Sequence, residues 1–82
     1  MTELQKKGYE ELKCYGEVVY ECEDYFHVEI STEHTEGKIR KLGKQFFGGC
    51  EIVEEAFDPY DDINAAYVWE FPLTEKGLKE LG

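Results

Sequence analysis

Residues 16–31 read GEVVYECEDYFHVEIS, and the way this stretch alternates decides the fold. Val18, Tyr20 and Cys22 share one parity, and Glu17, Val19 and Glu21 share the other. Past the acidic break, Phe26, Val28 and Ile30 are apolar while His27 and Glu29 are polar. Successive strand side chains point to opposite faces, so two such runs around a short break predict a β-hairpin. A two-residue turn at Glu23-Asp24 would set Val18 beside Glu29. A three-residue loop, Glu23 to Tyr25, pairs Cys22 with Phe26, Tyr20 with Val28 and Val18 with Ile30. The second register keeps the apolar row on one side and is the one expected. It leaves Glu17, Glu21, His27 and Glu29 on the outer face.

Outward from the hairpin, TEHTEGKIRKLGKQFFGG (residues 32–49) places Ile39, Leu42 and Phe46 at helical spacing, with Arg40, Lys41 and Lys44 turned away. Glu33 and Glu36 precede the bases, as the helix dipole favours, and Gly48-Gly49 is a stop signal. A helix is predicted over Glu33–Phe47. CEIVEEAF and AAYVWEF (residues 50–57 and 65–71) predict two more strands, joined by the loop DPYDDIN from Asp58 to Asn64. Ile52 and Val53 are adjacent, as are Tyr67, Val68 and Trp69, which leaves their inward face open between two registers. Pro72 ends the last strand, and Thr74 caps a short helix through Leu78 and Leu81. At the N-terminus, Thr2-x-x-Gln5 is a capping box, and a helix is expected to end before Gly16. The predicted order is α-β-β-α-β-β-α: an α+β fold with a small antiparallel sheet of two hairpins and helices on one face. At 82 residues it makes a single domain.

A domain this short has a thin core and little room for an enclosed substrate cavity. Twelve aromatics nevertheless supply large buried areas at few positions. The opening MTELQKKGYEEL has no apolar signal region, and three cysteines (Cys14, Cys22, Cys50) cannot all pair, so reduced thiols in a cytoplasm are expected.

The net charge is −10, and it is blocked along the chain. Residues 17–36 carry seven acids and no base, residues 37–50 four bases and no acid, and residues 51–75 eight acids and no base. Such a chain is repelled by nucleic acid and anionic lipid and attracted to basic surfaces. The plainer reading is that the acids only keep a small protein soluble.

Catalytic and metal patterns are weak. Cys14-x7-Cys22-x4-His27-x6-His34 lacks the close ligand pair of a zinc site. Neither His is set beside Cys50 by sequence, and Ser31, the one serine, has no elbow motif around it. Asp58, Asp61, Asp62 and Asn64 are oxygen donors in a turn but miss the spacing of a calcium loop, where Trp69 stands at the twelfth position. The bases Lys38, Arg40, Lys41 and Lys44 are expected to pair with neighbouring acids rather than with phosphate.

Residues 65–81, AAYVWEFPLTEKGLKEL, resemble the end of a winged-helix repressor, where a strand leads into a Leu-Thr-x-x-Gly-x-x-x-Leu helix, here Leu73, Thr74, Gly77 and Leu81. That resemblance implies a winged-helix-like regulator. By type rather than by motif, the chain resembles small acidic phage-encoded inhibitors that occupy basic nucleic-acid channels, anti-CRISPR proteins among them. This second resemblance implies a non-enzymatic acidic protein that docks on a basic, nucleic-acid-binding surface of a larger protein and inhibits it, without cofactor, metal, membrane or direct nucleic-acid contact. The charge candidates are Glu51, Glu54, Glu55, Asp58, Asp61 and Asp62, with Glu17, Glu21 and Glu29 on the hairpin. Tyr60 is the candidate anchor. Monomer and homodimer both fit, and the alternative is a winged-helix-like regulator or a small dimeric ligand-binding domain.

Overall fold

The computed structural model describes residues 1–58 and 61–81, with side chains described outside residues 56–64. Its elements are α1 (Glu3–Leu12), β1 (Gly16–Glu21), β2 (Tyr25–Ser31), α2 (Glu36–Phe47), β3 (Glu51–Asp58), β4 (Asp61–Pro72) and α3 (Glu75–Glu80). This is the expected α-β-β-α-β-β-α order. The strands form one antiparallel sheet in the spatial order β1-β2-β4-β3, so each hairpin contributes one inner and one edge strand. No helix among the described residues is long and apolar enough to cross a membrane.

The local signals act as read. In the capping box the Gln5 amide N–H donates to Thr2 Oγ1 at 3.1 Å and the Thr2 amide N–H to Gln5 Oε1 at 3.0 Å. Gly48 ends α2 in the left-handed region at φ 82°, which a side chain resists, and its N–H reaches back to the last turn. α2 starts three residues later than predicted, with Thr35 at the N-cap position. Glu33 falls outside the helix because residues 32–34 make a turn, closed by the His34 amide N–H on the Ser31 carbonyl at 3.2 Å.

The helices cover one face of the sheet. Phe26, Val28 and Ile30 of β2 and Trp69 and Phe71 of β4 project toward them and meet Leu12 of α1 and Ile39 and Phe47 of α2. Phe26 stacks on Phe71 at 5.3 Å between centroids, and Phe47 meets Phe26 edge-on at 5.2 Å. Full burial contributes roughly 1.5–3 kcal/mol for a residue such as Phe26 or Ile39. Gly8 is the contact point of α1 with α2: a Cβ there would lie 2.5 Å from Phe46 Cβ.

Two sequence expectations are corrected. First, the hairpin closes on the two-residue turn Glu23-Asp24, with the Cys22 amide N–H donating to the Tyr25 carbonyl at 2.9 Å. Glu21 then pairs with Phe26 and Tyr20 with His27, after which the register shifts so that Val18 pairs with Val28 and Glu17 with Glu29. Val19 is the extra residue of a β-bulge. The bulge reverses the parity of β1, so Val18 faces the core while Tyr20 joins His27 on the open face. Glu21, expected outward, lies on the helix side, where Tyr9 donates to its Oε2 at 3.4 Å. Cys22, expected in the apolar row, is half-buried in the turn. Second, β4 begins at Asp61 rather than after Asn64, so Asp58 and Asp61–Asn64 are strand backbone. The pairing of two strands overrides the turn propensity of Asp and Asn there.

Asp24 ties the two ends of the fold together. Its carbonyl accepts from the Leu73 amide N–H at 2.8 Å, and its Oδ1 accepts from the Thr74 hydroxyl at 2.8 Å. From the other side, the Gln5 side-chain amide donates to the Leu73 carbonyl at 3.1 Å.

Candidate functional site

None of the four strands contains a Lys or Arg, so every one of the nine bases lies in a helix or at a helix end. The fold therefore turns a blocked sequence into a two-sided molecule. The helix layer carries the bases, and the sheet face turned away from it is anionic.

Antiparallel register sets the open face in rows that cross the sheet. One row is Glu17, Glu29, Val68 and Glu54, from β1 through β2 and β4 to β3. The next is Tyr20, His27, Glu70 and Glu51. A third begins with Tyr25 beside Pro72. In the first row two like charges, Glu17 and Glu29, stand directly opposite one another, an arrangement that destabilises a sheet. Both are exposed, and among the described residues neither carboxylate has an ion-pair partner.

The second row is compensated. The Glu70 carboxylate meets His27 Nε2 at 2.9 Å. An ionised carboxylate only accepts, so this contact selects the tautomer with its proton on Nε2. The His27 ring then stacks under Tyr25 at 5.1 Å and 21°, and Tyr20 flanks both rings at 5.8 Å from Tyr25 and 5.4 Å from His27. Partial burial first, then the Cys22 thiol and Tyr20, raise the Tyr25 phenol above its ordinary pKa, so it is neutral at pH 7. These rings, with Val19, Val68, Glu29 and Glu54, line an open depression of about 440 Å³.

Glu51 is neutralised from the helix layer. Arg40 Nη1 donates to its Oε1 at 2.8 Å, while the guanidinium lies 5.2 Å over the Trp69 ring. Those hydrogen bonds raise the Arg40 pKa further. Of the four bases in α2, Arg40 is the one that pairs with described acids, Glu36 and Glu51. Lys38 sits 4.8 Å over the Tyr15 ring instead.

No family model, curated protein or solved structure matches this chain. The site therefore rests on its own geometry. Of the predicted charge residues, Glu17, Glu29 and Glu54 come together on the open face. Glu51 is tied to Arg40, and Glu21 and Glu55 lie on the helix side by register, opposite Phe26 and Tyr67. Asp58, Asp61 and Asp62 have described backbones at the far ends of β3 and β4, with side chains outside the described residues, and Tyr60 lies outside them altogether. Sequence reasoning missed Glu70, Tyr20, Tyr25 and His27 as one group. The sequence placed His27 outward, but it did not mark the group, because the β2–β4 register that sets Glu70 beside His27 and the tight turn that sets Tyr20 there are not encoded in any one segment.

The buried thiol belongs to the core. Desolvation pushes Cys50 up to about 11, and its Sγ lies 3.7 Å from the Ile39 carbonyl.

Proposed function

We propose that this chain is a non-enzymatic binding protein whose open sheet face docks on a basic, nucleic-acid-binding surface of a larger protein and blocks it, in the manner of anti-CRISPR-type inhibitors in a cytoplasm. The observation that carries this reading is the sheet without a single base, with Glu17 and Glu29 opposed and uncompensated on its open side. A cationic surface arriving there relieves the repulsion and supplies the missing counter-charge. Opposite fields accelerate encounter, and the exposed aromatics beside the acids lengthen residence. The same field opposes nucleic acid and lipid, and it opposes a second copy of the chain face to face. Imitation of a duplex is partial: DNA carries a charge per roughly 1.7 Å of axis, whereas alternate strand residues are about 6.6 Å apart.

The test compares the wild type with a Glu17→Lys, Glu29→Lys, Glu54→Lys variant. Each is immobilised against host-cell extract, and the captured protein is assayed for loss of nucleic-acid binding. The wild type is expected to capture a nucleic-acid-binding protein and displace its ligand, and the variant to lose at least about ten-fold in affinity. Equal capture with unchanged salt dependence refutes the reading.

A further inference from the structure

The open face is not uniformly acidic. Its aromatic rings gather at one place, and the acids beside them are arranged in a particular way. Tyr20, Tyr25 and His27 form a mutually packed wall, with Tyr25 and His27 only 21° from parallel. Val68, 6% exposed, is the floor. Glu29 and Glu54 are the two cross-strand neighbours of Val68, one on each side. Two strand spacings put their backbones about 10 Å apart, within reach of convergence on one group over Val68. The three features bound the same depression of about 440 Å³.

We propose that this depression is a receptor for an arginine side chain of the docked partner. The inference rests on the reading of the open face as a docking surface, and it names what the face selects. A guanidinium is planar, so one face stacks on the tyrosine and histidine rings while its edge forks to carboxylates. A lysine ammonium is a compact, strongly hydrated point charge that can sit over a ring but neither stacks flat on it nor forks to two carboxylates. The aliphatic stem of arginine covers Val19 and Val68, which an aqueous ion would leave wet. Glu70 does not compete for the guest, because its hydrogen bond to His27 holds the ring wall in place. A second copy of the chain is disfavoured as occupant, since its own sheet face brings only acids. The arginine belongs to the partner, and its neighbours there are basic.

The experiment uses two peptides of equal charge, (Gly-Arg)4 and (Gly-Lys)4, titrated into isotopically labelled full-length protein at low salt and followed by amide and aromatic chemical shifts. The arginine peptide is expected to bind roughly two- to five-fold tighter, the increment of an exposed cation–π contact, and to move Tyr20, Tyr25 and His27. Tyr20→Leu, at a half-exposed position, is expected to weaken the arginine peptide more than the lysine peptide and so to reduce the preference toward one. Equal affinities, with shifts centred on Glu17, Glu29 and Glu54 alone, overturn the arginine receptor and leave the acidic docking face standing. Shifts that avoid the open face with both peptides overturn both.

Discussion

Gly8→Ala is the substitution whose sign reports whether the helix layer is seated as described. In an isolated helix the change would stabilise, because alanine exceeds glycine by about 1 kcal/mol in helix propensity. Gly8 is buried, however, and a Cβ placed there meets Phe46 Cβ at 2.5 Å, Phe46 Cγ at 2.7 Å and Phe47 Cε2 at 2.8 Å. Ordinary carbon contacts are about 3.5–4.0 Å, so α1 must withdraw by about 1 Å. Phe46 cannot yield by changing rotamer, since its Cβ is fixed to the α2 backbone. Overpacking of this kind costs typically 1–3 kcal/mol or more, and with three clashes the upper end applies. After the propensity gain, a net loss of about 1–2 kcal/mol remains. In a domain of this size that lowers the melting temperature by about 5–15 °C. Gly37 in the same layer is the control: nothing lies within 4 Å of its added Cβ, so Gly37→Ala is expected to raise the melting temperature by a few degrees. Thermal melts followed by circular dichroism measure both. If the two variants rise together, α1 does not lie against α2 at Gly8, and the layered fold is wrong there.

Three further outcomes are expected. Burial pushes the Cys50 thiol up to about 11 when folded against an ordinary value of 9.0, so the folded state binds more protons across that window and stability falls as pH rises through it; the stability difference between wild type and Cys50→Ala should therefore shrink between about pH 9 and 11 in urea titrations. Arg40→Lys removes the forked bond to Glu51 and the stacking on Trp69 and is expected to cost about 1 kcal/mol, with Glu51→Gln in the Arg40→Lys background adding little in a double-mutant cycle. Deleting Val19 removes the bulge residue without disturbing the pairs on either side, so cross-strand nuclear Overhauser contacts of Val18 with Val28 and Tyr20 with His27 should survive; their loss would show that the bulge is misplaced.

The capping box at Thr2, the stop at Gly48 and the core row Phe26-Val28-Ile30 were legible because each is a local rule obeyed locally. The hairpin was legible as a hairpin but not in register. Two demands compete there: the tight turn at Glu23-Asp24 and the pairing of Val18 with an apolar neighbour. Without a bulge only one can be met, and the extra residue at Val19 meets both. A bulge of this kind has no composition of its own, so Glu17 was placed on the correct face while Tyr20 and Glu21, on the turn side of the bulge, were assigned with the wrong parity. The same limit applied at Ile52-Val53, where a second bulge shifts β3. Charge blocks were visible as blocks. That they sort to two sides of the molecule follows from the strand order, which no single segment encodes.

The contacts of Asp24 bear on how the chain comes to be folded at all. A residue in the first hairpin turn is held by the backbone of Leu73 and the hydroxyl of Thr74, and Gln5 near the start grips the same Leu73. The central strand β4 is also late in the sequence, and both β2 and β3 pair with it. During synthesis, then, the emerging first hairpin and the first two helices have no four-stranded sheet to complete until β4 has been made. Closure waits until β4, Leu73 and Thr74 are available, and it is a long-range step. A chain interrupted before Leu73 would leave the first hairpin turn and the start of α1 without their clasp.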